Sequence, residues 1–322
     1  MSNESLETLS NTFFSVSVGL YSLAVVAFCA QLAFGRRPVH QRERELVGAG
    51  GPPVTDAAAD VESREDSRSR RYGTAAMALT IVGVLTHIGV LLTRGLATGR
   101  LPWGNMYEFA TAVVLVAVVA YVVSALRRPV LRHLGLFVLA PVVLAMVAIG
   151  LFLYVQGGPL VAALRSAWLA VHVTTAILGF GILFVSGIAS AMYLLRLRHD
   201  ERVAAGEVSG DSLLGRLPAA TAIDGVAHRT AVFGFPIWTF AVIAGAIWAE
   251  SAWGRFWGWD PKETWAFIAW VVYAAYLHAR TTAGWRGKPA AWVDLLGTGV
   301  MIFNLLYVNM VSTGLHSYAG VK

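Results

Sequence analysis

The sequence predicts an all-α polytopic membrane bundle of about eight transmembrane helices, and three observations lead there. Of the 322 residues, 57% are hydrophobic and only 14% charged, and the mean hydropathy is +0.62; a water-soluble domain has a very different balance. Several apolar runs approach or exceed the roughly 20 residues that cross a bilayer as helix. These runs lack the alternating pattern, about ten residues long, of an outer-membrane barrel strand, so the spanning elements are expected to be helices.

Spans are expected at 12–34, 73–93, 106–126, 133–154, 168–195, 229–249, 263–280 and 291–312. The first follows a stretch, Met1 to Asn11, without Lys or Arg, which argues for a retained N-terminal anchor over 1–35 rather than a cleaved signal peptide. Arg36 to Arg71 mixes both charge signs with Gly, Pro, Ala and Ser and reads as a flexible cytoplasmic linker over 36–72. Residues 73–322 form the membrane core. Its third span is entered by Trp103-Gly-Asn-Met-Tyr-Glu-Phe109, where the carboxylate of Glu108 is costly unless partnered; it orients the tryptophan-rich segment or a partner, or pairs with Arg94 or Arg100. The fifth span is long enough to project beyond the hydrocarbon, and the connection from Arg196 to His228 has room for an interfacial helix. Asp260-Pro-Lys-Glu263 supplies an N-cap, a proline at the first helical position and a glutamate at the third, so it starts the seventh helix. Asp294, Asn304 and Asn309 place polar groups in the last span, where such groups usually join helices.

With both termini outside, about 19 of the 25 Lys and Arg fall in inner segments, as the positive-inside rule prefers. The net charge of +6 is then a loop asymmetry, and no basic soluble face for nucleic acid is present. The single cysteine, Cys29, excludes an intramolecular disulfide, a Cys-x-x-Cys metal site and covalent haem attachment to this chain.

The chemistry concentrates in Trp253-Gly-Arg-Phe-Trp-Gly-Trp-Asp-Pro-Lys-Glu-Thr-Trp265. Six of the eleven tryptophans lie between Trp248 and Trp270, around an external segment at 250–262. An interfacial aromatic belt explains one or two tryptophans per helix end. It leaves Trp253, Trp257 and Trp259 unexplained, interleaved as they are with Gly254 and Gly258, whose missing side chains let a flat ring approach the backbone. A platform for a large planar ligand fits better. Asp260 serves at least as a helix cap.

A planar macrocycle with an iron centre also needs axial ligands, and imidazole is the usual donor. His172 near the start of the fifth span and His316 after the last both fall on the platform side, where two imidazoles could hold one iron from both faces. The plainer alternative is an interfacial histidine bonded to backbone or water. His278 lies within the seventh span, which makes it a functional candidate by default, and its unmatched position suggests a second ligand from another subunit. His87 is a further ligand or a packed, hydrogen-bonded side chain. His228 reads as structural, and His40, His133 and His199 as solvated.

These residues carry a resemblance. The Trp253–Glu263 segment, with Tyr276-Leu-His-Ala-Arg280, Gly314-Leu-His-Ser-Tyr318 and, upstream, Asn105-Met-Tyr-Glu-Phe109, resembles the cytochrome c biogenesis family called CcsA or ResC, some of whose bacterial members carry the name CcsB. The match is dense from about Trp168 to Tyr318 and weak over the first span and linker. Its WWD motif is shared with other haem-handling membrane proteins, CcmC and CcmF among them. The resemblance implies a subunit of the system II cytochrome c synthase, a haem lyase complex, in the bacterial plasma membrane, or the thylakoid in plastid relatives, with the WWD segment outside. It implies a ResB-type membrane partner, apocytochrome c and haem b as bound ligand and cargo. His172 and His316 take the place of the family's axial ligands beside Trp253, Trp257, Trp259 and Asp260, and His278 that of an intramembrane haem ligand. A haem exporter that forms no thioether bonds is the neighbouring alternative. An ion or solute transporter is more distant, since it predicts helix breaks in paired halves rather than one aromatic cluster.

Overall fold

The computed structural model describes residues 2–34, 56–160, 165–210, 212–312 and 314–315. Those residues form eight α-helices and no strand: α1 Asn3–Phe34, α2 Asp56–Thr98, α3 Met106–Arg127, α4 Gly135–Ala148, α5 Ala167–Ala204, α6 Ala220–Trp253, α7 Pro261–Thr281 and α8 Lys288–Met310. Seven stretches are long and apolar enough to cross a membrane, those of α1 to α6 and α8. The eighth helix, α7, carries Trp, Tyr, His and Thr side chains and is less apolar, and it packs between α6 and α8. The all-helical multi-pass architecture expected from composition is therefore present.

Several boundaries move. α2 begins at Asp56, inside the stretch read as a linker, where Ala57, Ala58 and Ala59 precede Glu and Arg residues of high helix propensity; residues 35–55 lie outside the described set. The fourth span is broken in character: a 3-10 turn at Pro129–Leu134 leads into α4, and a π turn at Ile149–Leu153 closes it. Between α5 and α6 there is one short 3-10 turn, Leu214–Arg216, rather than an interfacial helix, because α5 itself runs on to Ala204.

α1 lies along α2, and α5 along α6, as the two most extensive helix pairs. One buried cluster joins α1 to α4 with part of α5 through Tyr21, Phe28, Tyr121 and Met146. A second joins α3 to α5, α6, α7 and α8 through Phe180, Trp238, Tyr273 and Met301. Close approach sets the α5–α6 contact: a Cβ on Gly179 would lie 3.0 Å from the Trp238 backbone nitrogen, the small-residue packing that membrane helices use. Asp294 is fully buried and accepts hydrogen bonds from Ser186 at 2.7 Å and Ser190 at 2.6 Å, so α8 is tied to α5 by a polar contact, as expected for that residue.

Candidate functional site: an imidazole, an indole shelf and two hollows

The site is built where α5 starts, α6 ends, α7 starts and α8 ends. α6 stops at Trp253 because Gly254 adopts a left-handed conformation, φ +70°, which glycine accepts without cost. α7 starts at Pro261 on a capping box. Asp260 accepts from Lys262 N–H at 3.0 Å, and the Glu263 carboxylate accepts from the Asp260 N–H at 3.1 Å. Glu263 also accepts from Gly258 N–H at 2.9 Å and pairs with Arg255 at 3.2 Å. One carboxylate thus holds three points of the short loop, fixing the tryptophans it carries.

Asp260 does more than cap a helix. Its Oδ2 accepts from the Leu315 backbone N–H at 2.8 Å, and a Cβ on Gly314 would fall 2.5 Å from that oxygen. The C-terminal strand of chain leaving α8 is therefore fastened to the tryptophan loop. His316 itself lies outside the described residues.

Trp259 adopts φ +58°, the one non-glycine residue with positive φ among those described, a conformation that costs an ordinary residue roughly 1–2 kcal/mol. Its indole is 63% exposed. It meets Trp257 edge-on at 5.7 Å and Phe267 at 6.0 Å, and Phe267 stacks on Trp270 at 5.9 Å. A large apolar ring held outward by a strained backbone is a feature of binding sites rather than of cores. Trp253 is half-buried and packs edge-on against Trp248 at 5.0 Å.

His172 sits on the first turns of α5. Its Nδ1 lies 2.8 Å from the carbonyl of Ala241 on α6; a carbonyl only accepts, so Nδ1 carries the proton and the lone pair is on Nε2. The ring stacks on Trp248, centroids 5.8 Å apart and planes 15° apart. Gly245 leaves space for the ring: a Cβ there would be 2.7 Å from His172 Cε1 and 2.8 Å from Nδ1. A backbone carbonyl that fixes the tautomer is the kind of partner that metal-binding imidazoles commonly have.

His172 borders two neighbouring hollows. The first, about 140 Å³, reaches toward α3 and α8 past Trp103, Phe109 and Asn304; the second, about 60 Å³, runs under Trp253 and Trp257. Neither is large enough to enclose a porphyrin. Trp103 Nε1 and Asn304 Oδ1, both on the first hollow, are buried with no hydrogen-bond partner among the described residues. Such orphaned polar atoms are costly unless a ligand or water meets them.

Lys262 borders both hollows, donating Nζ–H to Asn309 Oδ1 at 2.7 Å. The sequence reading passed over it. The available signal was a cation in the first turn of a helix, where the helix dipole opposes it; such a placement calls for a separate reason. The turn before α3 is held by Glu108, fully buried, which pairs with Arg94 at 3.3 Å and Arg100 at 2.7 Å and accepts from Gly104 N–H at 2.7 Å. Both expected arginine partners are thus used, and Arg94 also reaches Glu7 and the Val155 carbonyl.

The remaining histidines separate cleanly. His278 is exposed on α7 and borders neither hollow; seventeen residues of helix put it roughly 25 Å from the start of α7. His87 is fully buried against Tyr21, with its Nδ1 3.3 Å from the hydroxyl, and also lines neither hollow. His199 is buried beside Ser212 rather than solvated, because α5 extends beyond its expected end and folds the loop over it. Among the described residues no group of three or more His, Cys, Asp or Glu could hold a bare metal ion.

A family profile described as cytochrome C assembly protein matches residues 103–316. A protein from Guillardia theta named cytochrome c biogenesis protein CcsA is 34% identical over 259 residues, covering 74% of this chain and 83% of its own length. One of the same name from Gloeobacter violaceus is 35% identical, with 76% and 86% covered. Among solved structures, one titled cytochrome c heme lyase CcmF superimposes with a TM-score of 0.56 at 16% identity over 99% of this chain, which spans about half (54%) of that protein's length; the likeness is one of fold. By profile and by identity, this chain belongs to the cytochrome c assembly protein family, alongside the CcsA biogenesis proteins.

Proposed function

We propose that this chain is a subunit of a system II cytochrome c synthase, which presents haem b at the outer membrane face for thioether attachment to the Cys-x-x-Cys-His segment of apocytochrome c. The observation that carries the reading is the setting of His172, with Nδ1–H on a carbonyl, its ring stacked on Trp248 and close against Gly245, in a hollow it shares with Trp253 and Trp257. His316 follows Leu315, whose N–H is bound by Asp260 of the same loop. His172 and His316 then supply the two axial imidazoles, Trp253, Trp257 and Trp259 carry the ring face, and Asp260 keeps the two segments in register. Lys262 offers its charge to a haem carboxylate at the edge of the hollows.

The exposed His278 takes haem earlier on its route, with an imidazole of a ResB-type partner on the opposite side. In the attachment step each thiol adds across a haem vinyl group: the sulfur forms the C–S bond, the thiol hydrogen goes to the adjacent vinyl carbon, and nothing leaves. The contribution of this chain is positioning, since no side-chain nucleophile is required.

Reconstitution of this chain with a ResB-type subunit, haem and a Cys-x-x-Cys-His peptide under reducing conditions tests the reading. Covalent haem on the peptide is expected. Folded, haem-loaded protein that releases haem without forming thioether bonds would assign it to delivery instead.

A further inference from the structure

A third cavity, on the flank of the bundle, has nothing to do with the haem reading and does not rest on it. It is a groove of about 630 Å³ between α2, α3, α5 and α6, within the range of small-molecule pockets, roughly 300–1,000 Å³. Its walls are apolar, with Ile88, Val119, Ile182 and Phe233 among them, and the exposure of Val119 and Phe233 shows that it opens to the side of the bundle.

The end of the groove remote from the tryptophan loop is basic. Arg127 and Arg128 close α3, and Arg229 arrives from the early turns of α6. Arg128 and Arg229 line the same groove with like charge. None of the three has a carboxylate pair among the described residues, and no Asp or Glu lines the groove they share. Guanidinium groups brought together without an acid are at ease only with an anion between them or fully in water. All three side chains are exposed where they converge from two helices at the mouth of an apolar trough, open to an anion that arrives with an apolar tail.

We infer that this groove binds an anionic phospholipid, its phosphate among Arg127, Arg128 and Arg229 and its acyl chains along the wall formed by α3, α5 and α6. The basic mouth matches the head-group sites that form between membrane helices. A porphyrin carboxylate is the competing anion, but no His, Met, Cys or Tyr lines the groove to ligate iron.

The test uses the full chain in nanodiscs of phosphatidylcholine containing a minor fraction of phosphatidylglycerol, with lipid retained after transfer to mild detergent measured by native mass spectrometry. Wild-type protein is expected to retain phosphatidylglycerol preferentially, and Arg128→Gln with Arg229→Gln to lose that preference by about thirtyfold, near the value of two surface charges. Arg128→Lys with Arg229→Lys should keep most of it. Ala120→Trp, which fills the groove and leaves the arginines in place, should also lower retention and serves if the Gln pair fails to fold. Equal retention of both lipids by the wild type, or unchanged retention in Ala120→Trp, would overturn the inference. So would loss of co-purifying haem from the Gln pair with lipid retention intact, which would give the groove to a porphyrin.

Discussion

Gly245→Ala perturbs the positioning of His172 while leaving every residue proposed to bind haem unsubstituted. The new methyl carbon would lie 2.7 Å from Cε1 of the imidazole, while ordinary contact begins at 3.4 Å, so the ring has to retreat by about 0.7 Å. A shift of that size breaks the 2.8 Å hydrogen bond from His172 to Ala241 and spoils the aim of the ring, and the lost bond costs roughly 0.5–1.5 kcal/mol. Removal of such an outer partner typically lowers metal affinity 10–100-fold, and that is the expected loss of haem affinity. The assay is absorption titration of purified protein with haem in mild detergent. Gly299→Ala is the control, since a Cβ there meets nothing within 4 Å. Alanine is intrinsically better in a helix than glycine by about 1 kcal/mol, so both variants gain on that count and a loss in Gly245→Ala alone reports the imidazole. Haem affinity within twofold of wild type in folded Gly245→Ala would refute the reasoning.

Three further outcomes are expected. Asp260→Ala removes an N-cap worth roughly 0.5–2 kcal/mol together with the bond to Leu315, so it should lower the melting temperature modestly and haem retention strongly; a melting change without a change in haem would reduce Asp260 to its cap. Trp259→Gly should relieve roughly 1–2 kcal/mol of left-handed strain and leave thermal stability equal or higher while weakening haem retention, and a destabilised variant with normal haem would contradict the shelf. Glu108→Ala leaves Arg94 and Arg100 without their shared carboxylate and should cost roughly 3–5 kcal/mol, seen as a large fall in the melting temperature in detergent.

The fold was legible because hydrocarbon demands it: long apolar runs with few charges have one common solution, and the spans they mark were found with shifted ends. The shifts have local causes. α2 reaches back to Asp56 because alanine and paired charges carry helix into water, and the α4 region breaks where Pro129 opens a 3-10 turn and Ile149 begins a π turn. The Asp-Pro-Lys-Glu start of α7 was legible because capping is a matter of adjacent residues. What could not be read locally was the role of residues acting across the chain. Asp260 bonding Leu315 spans 55 positions, and His172 bonding Ala241 spans 69; neither leaves a periodicity or a spacing. Gly245 and Lys262 were missed for the same reason, although a glycine inside a helix and a lysine at its start were each a local misfit. Trp259 offered no signal for its left-handed backbone, which the Gly258 and Glu263 contacts impose.

The central claim is that His172 and a second imidazole, His316, clasp one haem iron over the indole shelf. Absorption and magnetic circular dichroism spectra of the purified chain, compared with those of His172→Gly and His316→Gly before and after addition of free imidazole, test it most directly. A six-coordinate bis-imidazole signature lost in each variant and restored by imidazole is the predicted result. A signature unchanged in both folded variants would contradict it.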